Sequence, residues 1–196
     1  MTTFPMPSSV SVIGLGEVGL PLALQFARSG LSVIGIDIDA TKVETLNEMQ
    51  SYIGHIPAEL VANEVAAGRF QASTTFSPIA WCDAVVICVP TPLKINREPD
   101  ISNILETSRS IAPHLRAGHL VVVESITCPG ATEEVLRKQL EEDSRLRAGI
   151  DFNLAFLPER LKPGHLQGRS AVIPKVFRGL TPECLEQAKA LYGTPI

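Results

Sequence analysis

The sequence predicts an α/β fold: a doubly wound, mainly parallel sheet with helices on both faces. Three observations carry this. Short strand-like apolar runs alternate with amphipathic segments from residue 10 to the end of the chain. The runs are built from Val, Ile, Leu and Ala, with only ten aromatic residues (Phe 7, Tyr 2, Trp 1) among 196, as suits strands buried on both faces. Residues of unusual chemistry collect where the runs end, the edge at which open parallel sheets bind ligands. With 45% hydrophobic and 19% charged residues there is material for a core, and the composition is not that of a disordered chain.

Each element has a local reason. Residues 10–14 are a β-branched run ending in glycine, and 17–29 follow with apolar Val18, Leu22 and Phe26 on one helical face and Gly30 as the stop. A second strand spans 32–37. A helix spans 40–49, with Asp39 placed to cap it. Pro57 at the first helical position and Gly68 after the last frame a helix over 57–67, with a short strand near 71–73. The run 84–89 (AVVICV) is a buried strand closed by Pro90-Thr91-Pro92. A polar loop over 93–100, a helix over 101–115 starting near Asp100 or Ser102, a strand over 120–124 and a charged helix over 131–142 complete the middle. A strand over 152–157, a loop over 160–170, a last strand over 171–178 and a helix from Pro182 to Leu191 end the pattern.

Several classes are excluded. Lys plus Arg is 17 and Asp plus Glu is 21, a formal charge of -4, which gives no electrostatic footprint for nucleic acid or an anionic membrane. Cys82, Cys88, Cys128 and Cys184 form no CxxC pair and no His-rich cluster, so neither a metal site nor a disulfide framework is expected. The most apolar stretch, 10–27, carries Glu17, three glycines and Pro21 and does not read as a membrane span. The start has no basic signal-peptide region, so a cytoplasmic location is expected.

The first strand runs into Gly14-Leu15-Gly16-Glu17-Val18-Gly19 and then a helix. Glycine patterns are common, but this one has the context of a Rossmann-type dinucleotide loop. Gly14 permits the tight turn, Gly16 lets a pyrophosphate approach the backbone, and Gly19 allows close helix–strand packing. The helix N-terminus around Glu17 and Val18 offers N–H groups and a partial positive charge. Asp37 lies 18 residues after Gly19, where a carboxylate can accept hydrogen bonds from ribose hydroxyls and repel a 2′-phosphate. NAD is therefore expected over NADP. Alternatively, Asp37 only terminates a strand; Asp39 is the better placed cap.

A longer set of motifs points further. GLGEVGLPLA (14–23), GIDID with Lys42 five residues after Asp37, SYIGHIP (51–57), VPTPL (89–93), REPD (97–100), ESITCPGAT (124–132), LPER with Pro163-Gly164 (157–164) and IPKV (173–176) occur in this order. Together they resemble the N-terminal, NAD-binding half of the nucleotide-sugar 6-dehydrogenases, the group of UDP-glucose, UDP-N-acetylmannosamine and UDP-N-acetylglucosamine dehydrogenases. SYIGHIP and TPL with REPD look most like the UDP-N-acetylglucosamine 6-dehydrogenase branch.

The resemblance implies oxidation of the C6 alcohol of a UDP-sugar to a carboxylate with two NAD, through an aldehyde captured by a cysteine thiolate. It implies that Glu159 handles water and protons, or else is a surface carboxylate that caps a helix or forms a salt bridge. Pro90, Thr91 and Ser125 are expected near the nicotinamide half, and Lys42 near the adenosine ribose. Thr127 and Arg160 are candidate substrate residues; Arg160 and Lys162 offer charge for phosphates or are simply loop charges. Two positions depart from the family: Ile126 stands where a threonine would lie by the reacting carbon, and Ala131 replaces another threonine.

The family's central helix, its catalytic lysine and asparagine, its glycine-flanked cysteine and its UDP-binding domain do not match anything in this chain. Residues 1–180 therefore read as the NAD-binding domain and 181–196 as the start of a link to a C-terminal half through which the family dimerises. Of the four cysteines, only Cys128 is expected near the cofactor, and its family position argues against it as the thiolate. On this reading the chain binds NAD but does not oxidise the sugar. Other readings compete. A short-chain dehydrogenase fails for lack of a Tyr-x-x-x-Lys pair, since Ile56 and Ile196 stand four residues after Tyr52 and Tyr192. A 3-hydroxyacid dehydrogenase half-domain leaves SYIGHIP and REPD unexplained. A stand-alone NAD-binding regulatory or interaction module stays open.

Overall fold

The computed structural model describes residues 7–92, 100–124, 131–157 and 178–193. Seven strands form one sheet in the order β3-β2-β1-β4-β5-β6-β7. They are β1 (Ser9–Ile13), β2 (Ser32–Ile36), β3 (Phe70–Ser73), β4 (Ala84–Ile87), β5 (Leu120–Val123), β6 (Asn153–Phe156) and β7 (Arg178–Gly179). β1 to β6 run parallel, and β7 closes the edge antiparallel to β6. The direction of winding reverses between β1 and β4, which pair directly with Val10 opposite Ala84. Such a switch point leaves a crevice at the carboxyl ends of the strands.

Among the described residues six α-helices cover the sheet: α1 (Gly19–Arg28), α2 (Ala40–Asn47), α3 (Ala58–Ala66), α4 (Ser102–Ile111), α5 (Ala131–Ser144) and α6 (Pro182–Gly193). Side chains alternate across the strands, so two cores form. Val10, Val12, Val86 and Val122 share one with Leu20, Phe26, Val61 and Leu191. Ile13, Val85, Ile87 and Val121 share the other with Ile104, Ile111, Leu136 and Leu140. Every residue of β4 and β5 is buried, which explains their unbroken aliphatic runs.

Among the described residues the expected strands and helices are present, with local differences; 93–99 and 160–170, the expected loops, lie outside them. The helix expected over 101–115 stops at Ile111 and tightens into a 3-10 turn at Ala112–His114. Pro113 has no amide to donate, so the α-helical ladder gives way there. A 3-10 turn at Ser77–Trp81, unsignalled by any period, leads into β4. Helix α2 ends at Asn47, and Met49 takes a left-handed φ of 62°. Pro57 precedes α3 as its cap residue and does not fill its first turn. Of the strand expected over 171–178, Arg178 belongs to β7, and 171–177 lie outside the described residues.

Candidate dinucleotide-binding site

The loop between β1 and α1 is shaped by what its glycines exclude. Gly14 has φ +89°, and a Cβ there would lie 2.8 Å from the Cys88 carbonyl oxygen. A Cβ on Gly19 would fall 1.8 Å from the Gly14 carbonyl oxygen. A Cβ on Gly16 would meet nothing within 4 Å. Two glycines thus let the backbone fold tightly, and the third faces open space.

Leu15, between them, is fully buried and sits against Gly35, where a Cβ would come 2.8 Å from its side chain. The loop is tied to β2 at both positions: the Gly14 amide donates to the Ile36 carbonyl at 2.8 Å, and the Leu15 amide donates to Asp37 Oδ2 at 2.9 Å. Helix α1 has no side-chain cap at Val18 and no acidic residue in its first turn. Among the described residues, the amides of Gly16, Glu17 and Val18 have no partner. Uncapped helical amides beside an open glycine carry the partial positive charge that attracts anions at helix N-termini.

Asp37 ends β2 and is 8% exposed. Its Oδ1 accepts from the Asp39 amide at 3.0 Å, and Lys42 Nζ lies 3.5 Å from Oδ2. Asp39 caps α2 by accepting from the amides of Thr41 and Lys42. The expected division of labour is present, with an addition: Asp37 also braces the glycine loop through Leu15. Its carboxylate supports the loop and also borders the cleft.

These groups border a cleft of about 790 Å³ at the switch point, within the range of small-molecule sites. Gly14, Gly16, Glu17, Val18, Asp37, Lys42, Pro90 and Thr91 all line it. Gly19 stands behind the loop as a packing position. Ser125, Thr127, Glu159 and Arg160 lie outside the described residues, as do Ile126 and Cys128.

The cleft also takes residues to which sequence reasoning assigned no role. Ile38, 87% exposed, and Phe76 supply an apolar wall near Asp37. Asn103 and Glu106 of α4 supply polar groups, and Asn103 Nδ2 donates to the Pro90 carbonyl at 2.9 Å. Glu124 lines the cleft at the end of β5; its place at the head of the ESITCPGAT motif was the available signal. Cys88 lines it too, which corrects the expectation that Cys128 alone lies near the cofactor. In a continuous buried strand its core signature hid this second exposure. Lys42 is the one cation among the described lining residues, against the acids Glu17, Asp37, Asp39, Glu106 and Glu124.

Residues 8–196 match the NAD binding domain of the UDP-glucose/GDP-mannose dehydrogenase family. The chain belongs to that family. NAD is accordingly its cofactor, and the glycine loop, the uncapped α1 and Asp37 fit a dinucleotide. The chain is 38% identical over 192 residues to the UDP-N-acetyl-D-mannosamine dehydrogenase of Escherichia coli K12, covering 94% of this chain and 45% of that protein. It is 36% identical over 184 residues to the UDP-N-acetyl-D-glucosamine 6-dehydrogenase of Pseudomonas aeruginosa, covering 93% and 42%. The solved UDP-D-ManNAc dehydrogenase of Pyrococcus horikoshii superposes with a TM-score of 0.83 at 30% identity, covering 95% of this chain and 44% of that one. The chain thus spans a little under half the length of these relatives.

Among the described residues no helix is long and apolar enough to cross a membrane, and no group of His, Cys, Asp and Glu is arranged to hold a metal ion.

Proposed function

We propose that this chain is the cofactor-binding part of a dehydrogenase that oxidises the C6 alcohol of a UDP-N-acetylhexosamine, or a UDP-hexose, to the uronic acid. The observation that supports this most is the open glycine loop beside Asp37 at the switch point, in a chain matching sugar-nucleotide dehydrogenases along nearly its whole length. The overall change takes one alcohol, one water and two NAD to a carboxylate, two NADH and three protons. NAD, when bound, accepts the hydride in each oxidation.

The residues have separable tasks in this reading. The amides of Gly16, Glu17 and Val18 hold the pyrophosphate, and Gly14 and Gly19 keep them in position. Asp37 accepts from the adenosine ribose hydroxyls and disfavours a 2′-phosphate. Lys42 beside it offsets negative charge. Pro90, Thr91 and Ser125 are assigned to the nicotinamide half. Glu159 is assigned the water and protons of the oxidation, and Thr127 and Arg160 the recognition of the sugar nucleotide.

In this reading none of Cys82, Cys88 and Cys184 supplies the thiolate of the reaction. All three are buried. Burial pushes the Cys82 thiol up to about 11, which leaves it protonated and unreactive near neutral pH. Cys184 Sγ accepts from the Leu154 amide at 3.4 Å inside the core.

Calorimetry with NAD, paired with an assay of NADH formation on UDP-N-acetylglucosamine and UDP-N-acetylmannosamine, tests this. NAD binding without turnover by this chain is expected. Turnover would show that these residues suffice for the chemistry; no NAD affinity would overturn the residue assignments.

A further inference from the structure

The segment 51–57 (SYIGHIP) is a signature without an assigned task. It is anchored by Ile53 and Ile56, 5% and 7% exposed, and closed into a turn by the Ile56 amide donating to the Ile53 carbonyl at 2.9 Å. From this turn two side chains reach back to the glycine loop, on either side of Gly16. The Tyr52 hydroxyl donates to the Leu15 carbonyl oxygen. His55 Nδ1 lies 3.6 Å from Glu17 Oε2. Lys42 Nζ stands 5.8 Å from the centre of the Tyr52 ring, so the same tyrosine also borders the lysine that meets Asp37.

Leu15 is therefore held at both of its backbone polar groups: its amide by Asp37 and its carbonyl by Tyr52. The peptide that carries this carbonyl also carries the Gly16 amide, the first of the three facing the cleft. Fixing one end of a peptide plane fixes the other. Burial, with Asp37 and Asp39 nearby, raises the Tyr52 hydroxyl well above its ordinary range, so it stays a donor. Glu17 is the one acid on the loop itself. His55 gives its carboxylate a partner at 3.6 Å.

We infer that segment 51–57 is a brace for the phosphate-binding loop. Tyr52 is a positioning residue that orients the Gly16 amide toward the dinucleotide pyrophosphate, and His55 offsets the charge of the Glu17 carboxylate beside it. This rests on the assignment of the pyrophosphate to this loop and adds the device that shapes it.

The test compares ligands with and without a pyrophosphate on the wild-type chain and its variants. Tyr52→Phe keeps the ring, its packing and its contact with Lys42. NAD and ADP-ribose should bind about tenfold more weakly, and adenosine within about twofold of wild type, the scale of one lost positioning hydrogen bond. His55→Ala, at an exposed site that does not threaten folding, should weaken NAD up to about fivefold at low salt. Adding Glu17→Gln to His55→Ala should restore the affinity. The brace is overturned if Tyr52→Phe binds NAD as wild type does, or if adenosine weakens as much as ADP-ribose, which marks a purely structural tyrosine. A wild-type chain that binds adenosine but gains nothing from the pyrophosphate of ADP-ribose would instead remove the phosphate assignment itself.

Discussion

The Tyr192 hydroxyl donates to Glu124 Oε2 at 2.9 Å, joining the last turn of α6 to the carboxyl end of β5. The Tyr192 ring meets Phe26 of α1 edge to face, with centroids 5.4 Å apart and planes at 73°. Glu124, 7% exposed, borders the dinucleotide cleft. Burial and the Glu124 charge both raise the tyrosine hydroxyl well above its ordinary range, so it remains a donor. A helix at the far end of the chain thus reaches a carboxylate in the cofactor cleft. Tyr192→Phe keeps the ring on Phe26 and removes the donor; it should lower stability by about 1–3 kcal/mol in urea unfolding, as for a hydrogen bond to a charged group. Unchanged stability would show that Glu124 does not depend on the tyrosine.

The two ends of the glycine loop should respond oppositely to the same small change. Gly19→Ala drives a methyl into the Gly14 carbonyl and should lower the melting temperature sharply, with a loss of about 3 kcal/mol or more. Gly16→Ala meets nothing in the protein. It should melt like wild type yet bind NAD at least about tenfold more weakly, because the methyl occupies the space left for the pyrophosphate.

Cofactor choice should rest on the pair Asp37 and Lys42. Asp37→Ala removes the proposed acceptor for ribose hydroxyls and releases Lys42 from its partner at 3.5 Å. NAD affinity should fall and NADP affinity rise, moving their ratio by about tenfold or more. Titration of both cofactors measures it, and an unchanged ratio would place the ribose elsewhere.

Acid sensitivity should trace in part to His119 at the start of β5. It is fully buried, Nδ1 accepts from the Arg116 amide at 3.2 Å, and Nε2 has no hydrogen bond of normal geometry among the described residues. Burial first, then the Arg116 charge, lower it to about 4. The unfolded chain takes up a proton near pH 6.5 while the folded one does not. This contribution is complete above pH ~6.5 and is lost as pH falls from there toward 4, on the order of 3 kcal/mol in all. Replacing His119 with Gln should flatten urea midpoints measured across that window. An equally steep fall in the variant would assign the effect to other groups.

How much of this was legible in the sequence depends on the range of the interaction concerned. The glycine loop, the strand ending in Asp37 and the capping by Asp39 are local, and spacing reports them. The helix ending at Ile111 depends on Pro113, which is visible but was outweighed by the apolar period around it. The turn Ser77–Trp81 has no period to read. Tyr52 and Leu15 are 37 residues apart, and Tyr192 and Glu124 are 68 apart. Nothing in either neighbourhood states that these pairs meet; strand order decides it. Cys88 shows the opposite difficulty, because one residue serves a core and a cleft and the stronger core pattern concealed the other role.

The attachment of Leu15 divides one short loop into two regimes of solvent exchange. Its amide, buried and bonded to Asp37, trades hydrogen for deuterium only when the loop opens away from β2. One residue on, the amides of Gly16, Glu17 and Val18 are without partners among the described residues and exchange freely until an anion covers them. A deuterium trace over six residues should therefore show a slow step beside a fast one, with the boundary at the Leu15–Gly16 peptide. Dinucleotide should slow only the fast side. The loop is rigid at its root and receptive at its tip, and the ligand inherits an order that was already there.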